Sequence, residues 1–311
     1  HRGHRLPVAV APGPASYGFM LPSSPLHHLL MASMDHPVVL TSGNRSDEPQ
    51  CIGNDEARTR LAAIADALLL HDREIVNRLD DSVTRVVAGR PTLVRRARGY
   101  APTPLPLPPG FEAAPEILAF GAELNSTFCL VHDGAAIPSQ HLGDLDHPVA
   151  EAAYRETLAR YEKLFGHRPR VLAVDRHPGY HASALGRERA ECERLPLEEV
   201  QHHHAHIAAC MADNGIGLGD GPVLGLALDG TGYGDDGTIW GGEILLADYA
   251  AHRRLAALAP VPMPGGGQAV RQPWRMAYAH LRRDDWGELA ERHARLPCFR
   301  ELASRPLAAL D

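Results

Sequence analysis

The sequence predicts a mixed α/β protein in two domains, on three observations. The chain's 311 residues exceed one ordinary core. A proline-rich stretch, Thr103-Pro104-Leu105-Pro106-Leu107-Pro108-Pro109-Gly110, disfavours helix and central strand alike and marks a boundary. On either side of it, apolar residues recur at strand and helix spacing in turn. The domains expected are residues 1–102 and 116–311, joined by a linker at 103–115. Hydrophobic residues make up 44% and charged residues 22%, the balance of a globular protein. No run approaches the roughly twenty apolar residues that span a bilayer. The net charge of −7 weighs against broad contact with nucleic acid. Cys51, Cys129, Cys192, Cys210 and Cys298 form no Cys-x-x-Cys and no paired framework, which fits a reducing cytoplasm. A soluble, cytoplasmic protein that needs neither membrane nor nucleic acid is expected.

The amino end, His1-Arg2-Gly3-His4-Arg5-Leu6-Pro7, lacks an initiator methionine and a signal-type apolar core, and reads as a cut end. His27 and His28 are adjacent, so they do not share a helix face and read as packing and capping residues. Pro37-Val38-Val39-Leu40-Thr41 predicts a buried strand leading into the turn Ser42-Gly43-Asn44-Arg45-Ser46. That turn either offers donors to phosphate oxygens or is an ordinary turn. A helix follows, capped by Asn54, with Ala57, Leu61, Ile64, Ala65 and Leu68 on its apolar face. Ser82–Val87 and Thr92–Arg95 then alternate as two strands of a hairpin joined through Gly89-Arg90-Pro91. Asp80 and Asp81 before it read as Mg²⁺ ligands, as arginine partners or as solvated turn acids. Arg95 and Arg98 close the second strand, where permanently charged guanidinium forks suit a small anion and a solvated face is the competing view.

Beyond the linker, Glu116–Glu123 and Thr127–His132 read as strands, the latter turning at Asp133-Gly134. Asp146 and Pro148 start a helix with Tyr154, Leu158, Tyr161 and Phe165 on one face, and Arg170–Asp175 is a strand. Gln201-His202-His203-His204-Ala205-His206 is the centre of the chain's chemistry. In the first turn of a helix, His202 and His206 stand four residues apart on one face, where two imidazoles share one ion. Asp229 ends the apolar run Val223–Leu228, at a strand end where α/β folds present functional groups, and supplies the third ligand type. Nineteen histidines also make chance clusters and core histidines common, so spacing alone leaves both readings open.

Ordered motifs decide between them. In the first hundred residues, Tyr17-Gly18-Phe19-Met20-Leu21-Pro22, Pro25-Leu26-His27-His28-Leu29-Leu30, Thr41-Ser42-Gly43-Asn44 and Arg95-Arg96-Ala97-Arg98-Gly99-Tyr100-Ala101-Pro102 resemble the later half of the YrdC-like domain of the HypF hydrogenase-maturation carbamoyltransferases. The resemblance implies ATP-dependent carbamoyl-adenylation, with Ser42 and Asn44 matching a Ser-x-Asn nucleotide motif and Arg95 and Arg98 in the arginine-rich terminal segment. The family's earlier Lys-x-Arg motif is absent, so this part is not expected to be catalytic alone.

Further on stand Ser139-Gln140-His141-Leu142-Gly143-Asp144-Leu145, Asp175-Arg176-His177-Pro178-Gly179-Tyr180, the histidine stretch, Asp229-Gly230-Thr231-Gly232-Tyr233-Gly234, Trp240-Gly241-Gly242-Glu243, and Pro264-Gly265-Gly266 before Gln272-Pro273-Trp274-Arg275. In this order they resemble the carbamoyl-transfer domain of the same family, a relative of TsaD. The implied fold is the ribonuclease-H-like one of actin, Hsp70 and sugar kinases. His202, His206 and Asp229 match metal and catalytic positions, while His203 and His204 are neighbours. Gly121, Thr127, Gly230, Thr231, Gly232, Gly241, Gly242, Gly265 and Gly266 fall in motifs implied to meet nucleotide phosphates. Asn125 stands where the pattern has lysine, and Gly267 where it often has an acid.

The resemblance further implies ATP, Mg²⁺ and a zinc or iron ion as cofactors, carbamoyl phosphate as substrate, and the carboxy-terminal cysteine of HypE as acceptor. The chain stops at Asp311, before the family's last metal-binding aspartate, so an internal fragment, inactive by itself, is expected. Two other functions stay open. An O-carbamoyltransferase of antibiotic biosynthesis has both domain types in the reverse order, and a nucleotide-binding scaffold would have lost turnover through Asn125, Gly267 and truncation.

Overall fold

The computed structural model describes residues 6–11, 16–45, 48–146, 148–282 and 286–307. Ser46, His1–Arg5 and Asp311, on which some expectations fell, lie outside them. Two compact units form, and neither is continuous in sequence. The first comprises His1–Pro102, Leu124–Ser126 and Ser139–Lys163, and the second Thr103–Glu123, Thr127–Pro138 and Leu164–Asp311. Among the described residues, no helix is long and apolar enough to cross a membrane. The cysteines are free thiols.

In the first unit, helix α1 (Pro25–Ala32) starts at Ser24, whose hydroxyl accepts from the His27 amide at 3.2 Å. His27 thus serves the cap, whereas His28, expected to pack, is exposed. Two expectations fail here for one reason. Pro37–Thr41 runs extended without a ladder partner among the described residues, and Val39 is 78% exposed; an apolar run becomes a strand only when its amides find another strand. Helix α2 spans only Asn54–Arg60 and ends at Leu61, leaving Ile64 64% exposed. With no surface to cover, its apolar spacing does not carry it to Leu68. Its cap is Gly53 rather than Asn54, because the Glu56 carboxylate accepts from the Ile52 amide at 3.2 Å while the Asn54 amide group donates to the His71 carbonyl.

Strands β1 (Val83–Val87) and β2 (Arg90–Arg95) make the expected hairpin. Ala88 and Gly89 both have positive φ (49° and 78°), the two-residue turn that matches strand twist, so Pro91 falls inside β2 rather than in the connection. Helix α3 (Pro148–Phe165) buries Tyr154, Leu158 and Tyr161, as its spacing predicts. The stretch before it is tied to the first hundred residues by hydrogen bonds. The His141 amide donates to the Arg96 carbonyl at 3.0 Å, and its Nδ1 meets Asp80 Oδ2 at 2.6 Å. Gln140 Nε2 donates to the Arg78 carbonyl at 3.2 Å, and Tyr161 donates its hydroxyl proton to Gln140 Oε1 at 2.8 Å.

The second unit is built on a six-stranded sheet. Its strands are β3 (Leu105–Pro106), β4 (Ile117–Ala119), β5 (Cys129–His132), β6 (Ala135–Pro138), β7 (Val171–Asp175) and β8 (Leu197–Val200), in the order β3-β6-β5-β4-β7-β8. β4, β7 and β8 are parallel; β5 runs against its neighbours, turning into β6 at Asp133 and Gly134, both of positive φ. This is the ribonuclease-H-like mixed arrangement. The linker prolines reach the sheet only at its edge, where a missing donor costs no ladder bond. Helix α4 (His181–Glu193) lies close on β7 because a Cβ at Gly186 would fall 2.3 Å from Val174 Cγ1.

Helix α5 (His202–Asp213) then leads to β9 (Val223–Ala227). The small pair β10 (Gly232–Tyr233) and β11 (Ile239–Trp240) precedes β12 (Glu243–Ala247) and β13 (His252–Ala257), which join β9 in an antiparallel sheet ordered β13-β12-β9. α5 packs here through Ile207 and Met211 against Ala227, Trp240, Leu245 and Ala247. Short helices follow: α6 (Gly267–Arg271), α7 (Trp274–Leu281), α8 (Trp286–Arg292) and α9 (Pro297–Ala303).

The Asp80–His141 contact gives a pH prediction. The hydrogen bond from His141 holds the Asp80 carboxyl below the usual carboxylate range, helped by the charges of His141 and Arg95. Its contribution to stability is therefore present above the unfolded value of about 3.9 and is lost as pH falls through the lower folded one. Asp80→Asn should cost about 1–3 kcal/mol at neutral pH and much less in acid, read from urea unfolding at both pH values.

Candidate metal centre

The helix phase that the sequence predicts is the one observed. Gln201 caps α5, its side-chain oxygen accepting from the His204 amide at 2.8 Å, so His202 is the first helical residue. One ligand atom from each of His202, His206 and Asp229 lies within 4.8 Å of the others. The Nε2 atoms of His202 and His206 are 3.2 Å apart, and His202 Nε2 is 3.2 Å from Asp229 Oδ2. Two imidazole nitrogens and a carboxylate oxygen facing one point suit Zn²⁺ or Fe²⁺.

His203 and His204 lie on the buried side of α5, His203 with Nε2 3.9 Å from the same Asp229 Oδ2. His203 is fully buried, with Nε2 3.3 Å from the Asp229 carbonyl and Nδ1 3.3 Å from the Gln201 amide nitrogen. His204 meets the Asp248 carbonyl through Nε2 at 2.6 Å. Both are buried histidines, with partners on both ring nitrogens of His203 and on Nε2 of His204.

The charges agree with the geometry. Hydrogen bonds to Asp175 and then Asp229 push the His202 imidazole up to about 9 in the metal-free chain. Burial pushes His206 down, and the neighbouring charge of His202 adds to this. The His202 hydrogen bond holds Asp229 below the usual carboxylate range.

Asp175 stands in the motif Asp175-Arg176-His177-Pro178-Gly179-Tyr180, where its residue type and spacing alone assign it no part. The structure puts its carboxylate against the centre, with Oδ2 2.6 Å from His202 Nδ1. The available signal was an acid at a strand end, the same signal that found Asp229. His177 and Tyr180 of that motif stack at 4.0 Å, and His177 meets the Tyr233 ring edge-on at 5.5 Å. Burial raises the Tyr180 hydroxyl, with the charges of Asp175, Asp229 and Glu123 adding to it.

The glycines divide by what surrounds them. A Cβ at Gly232 would lie 2.3 Å from His203 Cε1 and 3.1 Å from His202 Cδ2, so this glycine makes room for imidazole rings. A Cβ at Gly241 would meet the Gly230 carbonyl at 2.6 Å, and the Gly242 amide donates to the Asp229 carbonyl at 3.0 Å. The loop carrying Asp229 is thereby pinned to the turn at Gly241 and Gly242, the latter at φ 75°. Gly230 has open space around it and Thr231 is exposed. Gly121 (φ 74°) stands where a Cβ would meet the Thr127 carbonyl at 2.0 Å, so these two shape their own loop. Gly265 and Gly266 (φ 81° and 56°) turn the chain into α6, which Gly267 begins.

In the first unit, the Ser42 hydroxyl donates to Asn44 Oδ1, and the Asn44 amide group donates to the Arg45 and Glu48 carbonyls at 2.9 and 2.8 Å. Arg98 pairs with Asp81 at 3.0 Å, so Asp81 orients an arginine, and Arg95 ends β2 near Asp80. Asn125 has φ 49°, its amide donating to Asp144 at 2.7 Å and its side-chain oxygen 3.2 Å from His141 Nε2.

The chain matches known families over most of its length. Residues 112–213 match the HypF Kae1-like domain, residues 225–308 the second subdomain of the carbamoyltransferase Kae1-like domain, and residues 1–97 the Sua5/YciO/YrdC family described as telomere recombination. The chain is 50% identical to the carbamoyltransferase HypF of Rhodobacter capsulatus over 287 residues, 92% of this chain and 39% of that one. To the HypF of Synechocystis sp. it is 44% identical over 272 residues, 88% of this chain and 34% of the relative. A crystal structure of full-length HypF in the phosphate- and nucleotide-bound form superposes with a TM-score of 0.79 at 44% identity, covering 89% of this chain and 36% of that one. The T. kodakarensis HypF crystal structure gives 0.81 at 38%, covering 89% and 35%. The chain thus spans well under half the length of these relatives.

The two loop glycines at the centre should respond in opposite ways to the same methyl group. Gly232→Ala forces the buried His203 ring aside and should cost about 1–3 kcal/mol in urea unfolding. Gly230→Ala, with open space around it, should stay within about 0.5 kcal/mol.

Proposed function

We propose that this chain, which belongs to the HypF carbamoyltransferases across the segment it spans, contributes to ATP-dependent carbamoyl transfer in hydrogenase maturation. The observation that carries the reading is the meeting of His202, His206 and Asp229 at the start of α5, beside a glycine loop pinned by a second glycine turn. A carbamoyl-adenylate made from carbamoyl phosphate and ATP with Mg²⁺ donates to the carboxy-terminal cysteine thiol of HypE. The thiolate sulfur attacks the carbamoyl carbon, the bond from that carbon to the adenylate oxygen breaks, and AMP leaves with the electron pair.

His202, His206 and Asp229 would hold a zinc or iron ion, whose chemistry there is that of a Lewis acid for the carbonyl oxygen. Gly230, Thr231, Gly241 and Gly242 line the loop that would approach the phosphates, and Ser42, Asn44, Arg95 and Arg98 would serve the adenylation half. The order of the two parts, YrdC-like before Kae1-like, supports this reading over an O-carbamoyltransferase. The setting proposed is cytoplasmic, with no nucleic acid or membrane as partner.

His202→Ala and Asp229→Ala in the complete protein should lower carbamoyl transfer to the HypE carboxy-terminal peptide on the order of 100-fold or more. ATP–pyrophosphate exchange with carbamoyl phosphate should persist in both. Normal transfer by either variant would remove the centre from the reaction; nucleotide binding without exchange by the unaltered protein would favour a scaffold.

A further inference from the structure

The Asp175 carboxylate is fixed at both oxygens. Oδ1 accepts from the His177 amide at 2.7 Å and Oδ2 meets His202 Nδ1 at 2.6 Å, while the Asp175 carbonyl accepts from the Ser183 hydroxyl at 2.8 Å. Its side chain is 8% exposed. Backbone topology sets this meeting, because Asp175 pairs with Val200 in the parallel ladder of β7 and β8, and the chain leaves β8 through Gln201 straight into His202. A neutral imidazole carries one N–H. Both ring nitrogens face carboxylates, but the Asp175 contact at 2.6 Å is far shorter than the 3.2 Å to Asp229, so the single proton is held at Nδ1 and the lone pair is left on Nε2. That nitrogen is the one 3.2 Å from both His206 Nε2 and Asp229 Oδ2.

We propose that Asp175 is a positioning residue of the centre, selecting the His202 tautomer and ring angle that turn Nε2 toward a bound metal ion. Among the described residues, His206 Nδ1 has no such carboxylate, so only one of the two imidazoles is set in advance. The carboxylate also makes His202 a more strongly donating ligand than a neutral acceptor would. This inference rests on the metal reading of His202, His206 and Asp229.

The test has two independent readouts on the full chain and on its Asp175→Ala and Asp175→Asn variants. The first is the long-range ¹⁵N–¹H spectrum of the labelled histidines in metal-free protein, recorded above the His202 transition that the same spectra locate by pH titration. The unaltered chain should show His202 as the Nδ1–H form and Asp175→Ala a mixture, whereas Asp175→Asn, whose one oxygen stays on the His177 amide, turns its NH₂ toward Nδ1 and should show the Nε2–H form. The second is zinc affinity by competition with a chromophoric chelator. Asp175→Ala should bind about 10–100-fold more weakly, and Asp175→Asn, which favours a proton on the ligating Nε2, at least as weakly.

An Nε2–H spectrum in the unaltered chain overturns the proposal, even if Asp175→Ala does not fold. Unchanged zinc affinity and an unchanged His202 spectrum in a folded Asp175→Ala overturn it as well. If the unaltered chain binds neither zinc nor ferrous iron while the tautomer shifts as stated, the metal reading fails and the positioning of His202 by Asp175 stands.

Discussion

Helix α5 lies where it does because β9 has no side chain at residue 225. A Cβ on Gly225 would fall 2.3 Å from Ile207 Cδ1 and 2.9 Å from Ile207 Cγ2, and Ile207 is itself buried. The missing atom lets the helix press its buried face, His203, Ile207 and Met211, onto the antiparallel sheet. Once that face is fixed, the phase of the helix fixes the rest. His202 and His206 turn to the side where β9 ends, and Asp229 stands there. The centre is thus a consequence of close packing before it is a matter of ligand chemistry.

A second constraint comes from the larger sheet. β7 and β8 are parallel neighbours, so their carboxy ends present Asp175 and Val200 side by side. The turn after β8 is a single residue, Gln201, whose buried side chain caps α5 and donates to the Tyr233 carbonyl at 3.1 Å. That short connection leaves His202 little choice of position. Two strand-end acids from two different sheets therefore reach one imidazole from opposite nitrogens.

How much of this could be read from the sequence follows from the range of the interactions involved. The existence of the first hairpin, the turn at Asp133-Gly134, the apolar face of α3 and the helix phase of His202 and His206 depend on residues close in the chain, and their spacing carries them, although the first turn falls at Ala88-Gly89 rather than Gly89-Arg90-Pro91. Pro37–Thr41 and the length of α2 depend on surfaces elsewhere, so local apolarity misleads there. Asp175 was visible as a strand-end acid, but its partner is set by which strands are neighbours, and strand order is not written in any one segment. The same is true of Ser139–Lys163, whose ties to Asp80, Arg78 and Arg96 join stretches that sequence order keeps apart.

The glycines sharpen what the loop after β9 can do. A motif such as Asp229-Gly230-Thr231-Gly232 suggests that each glycine brings an amide to a phosphate, yet space around them differs. Gly232 is taken up by the rings of His203 and His202, and Gly241 by the backbone of Gly230. These two are needed for protein packing whatever ligand is bound. Gly230 has nothing within 4 Å of its would-be Cβ, and Thr231 beside it is exposed. The open side of the loop is therefore Gly230-Thr231, immediately after Asp229, while its closed side holds the histidine core in register. One short loop then both carries Asp229 to the two histidines and faces outward, and the glycines on its two sides are present for different physical reasons.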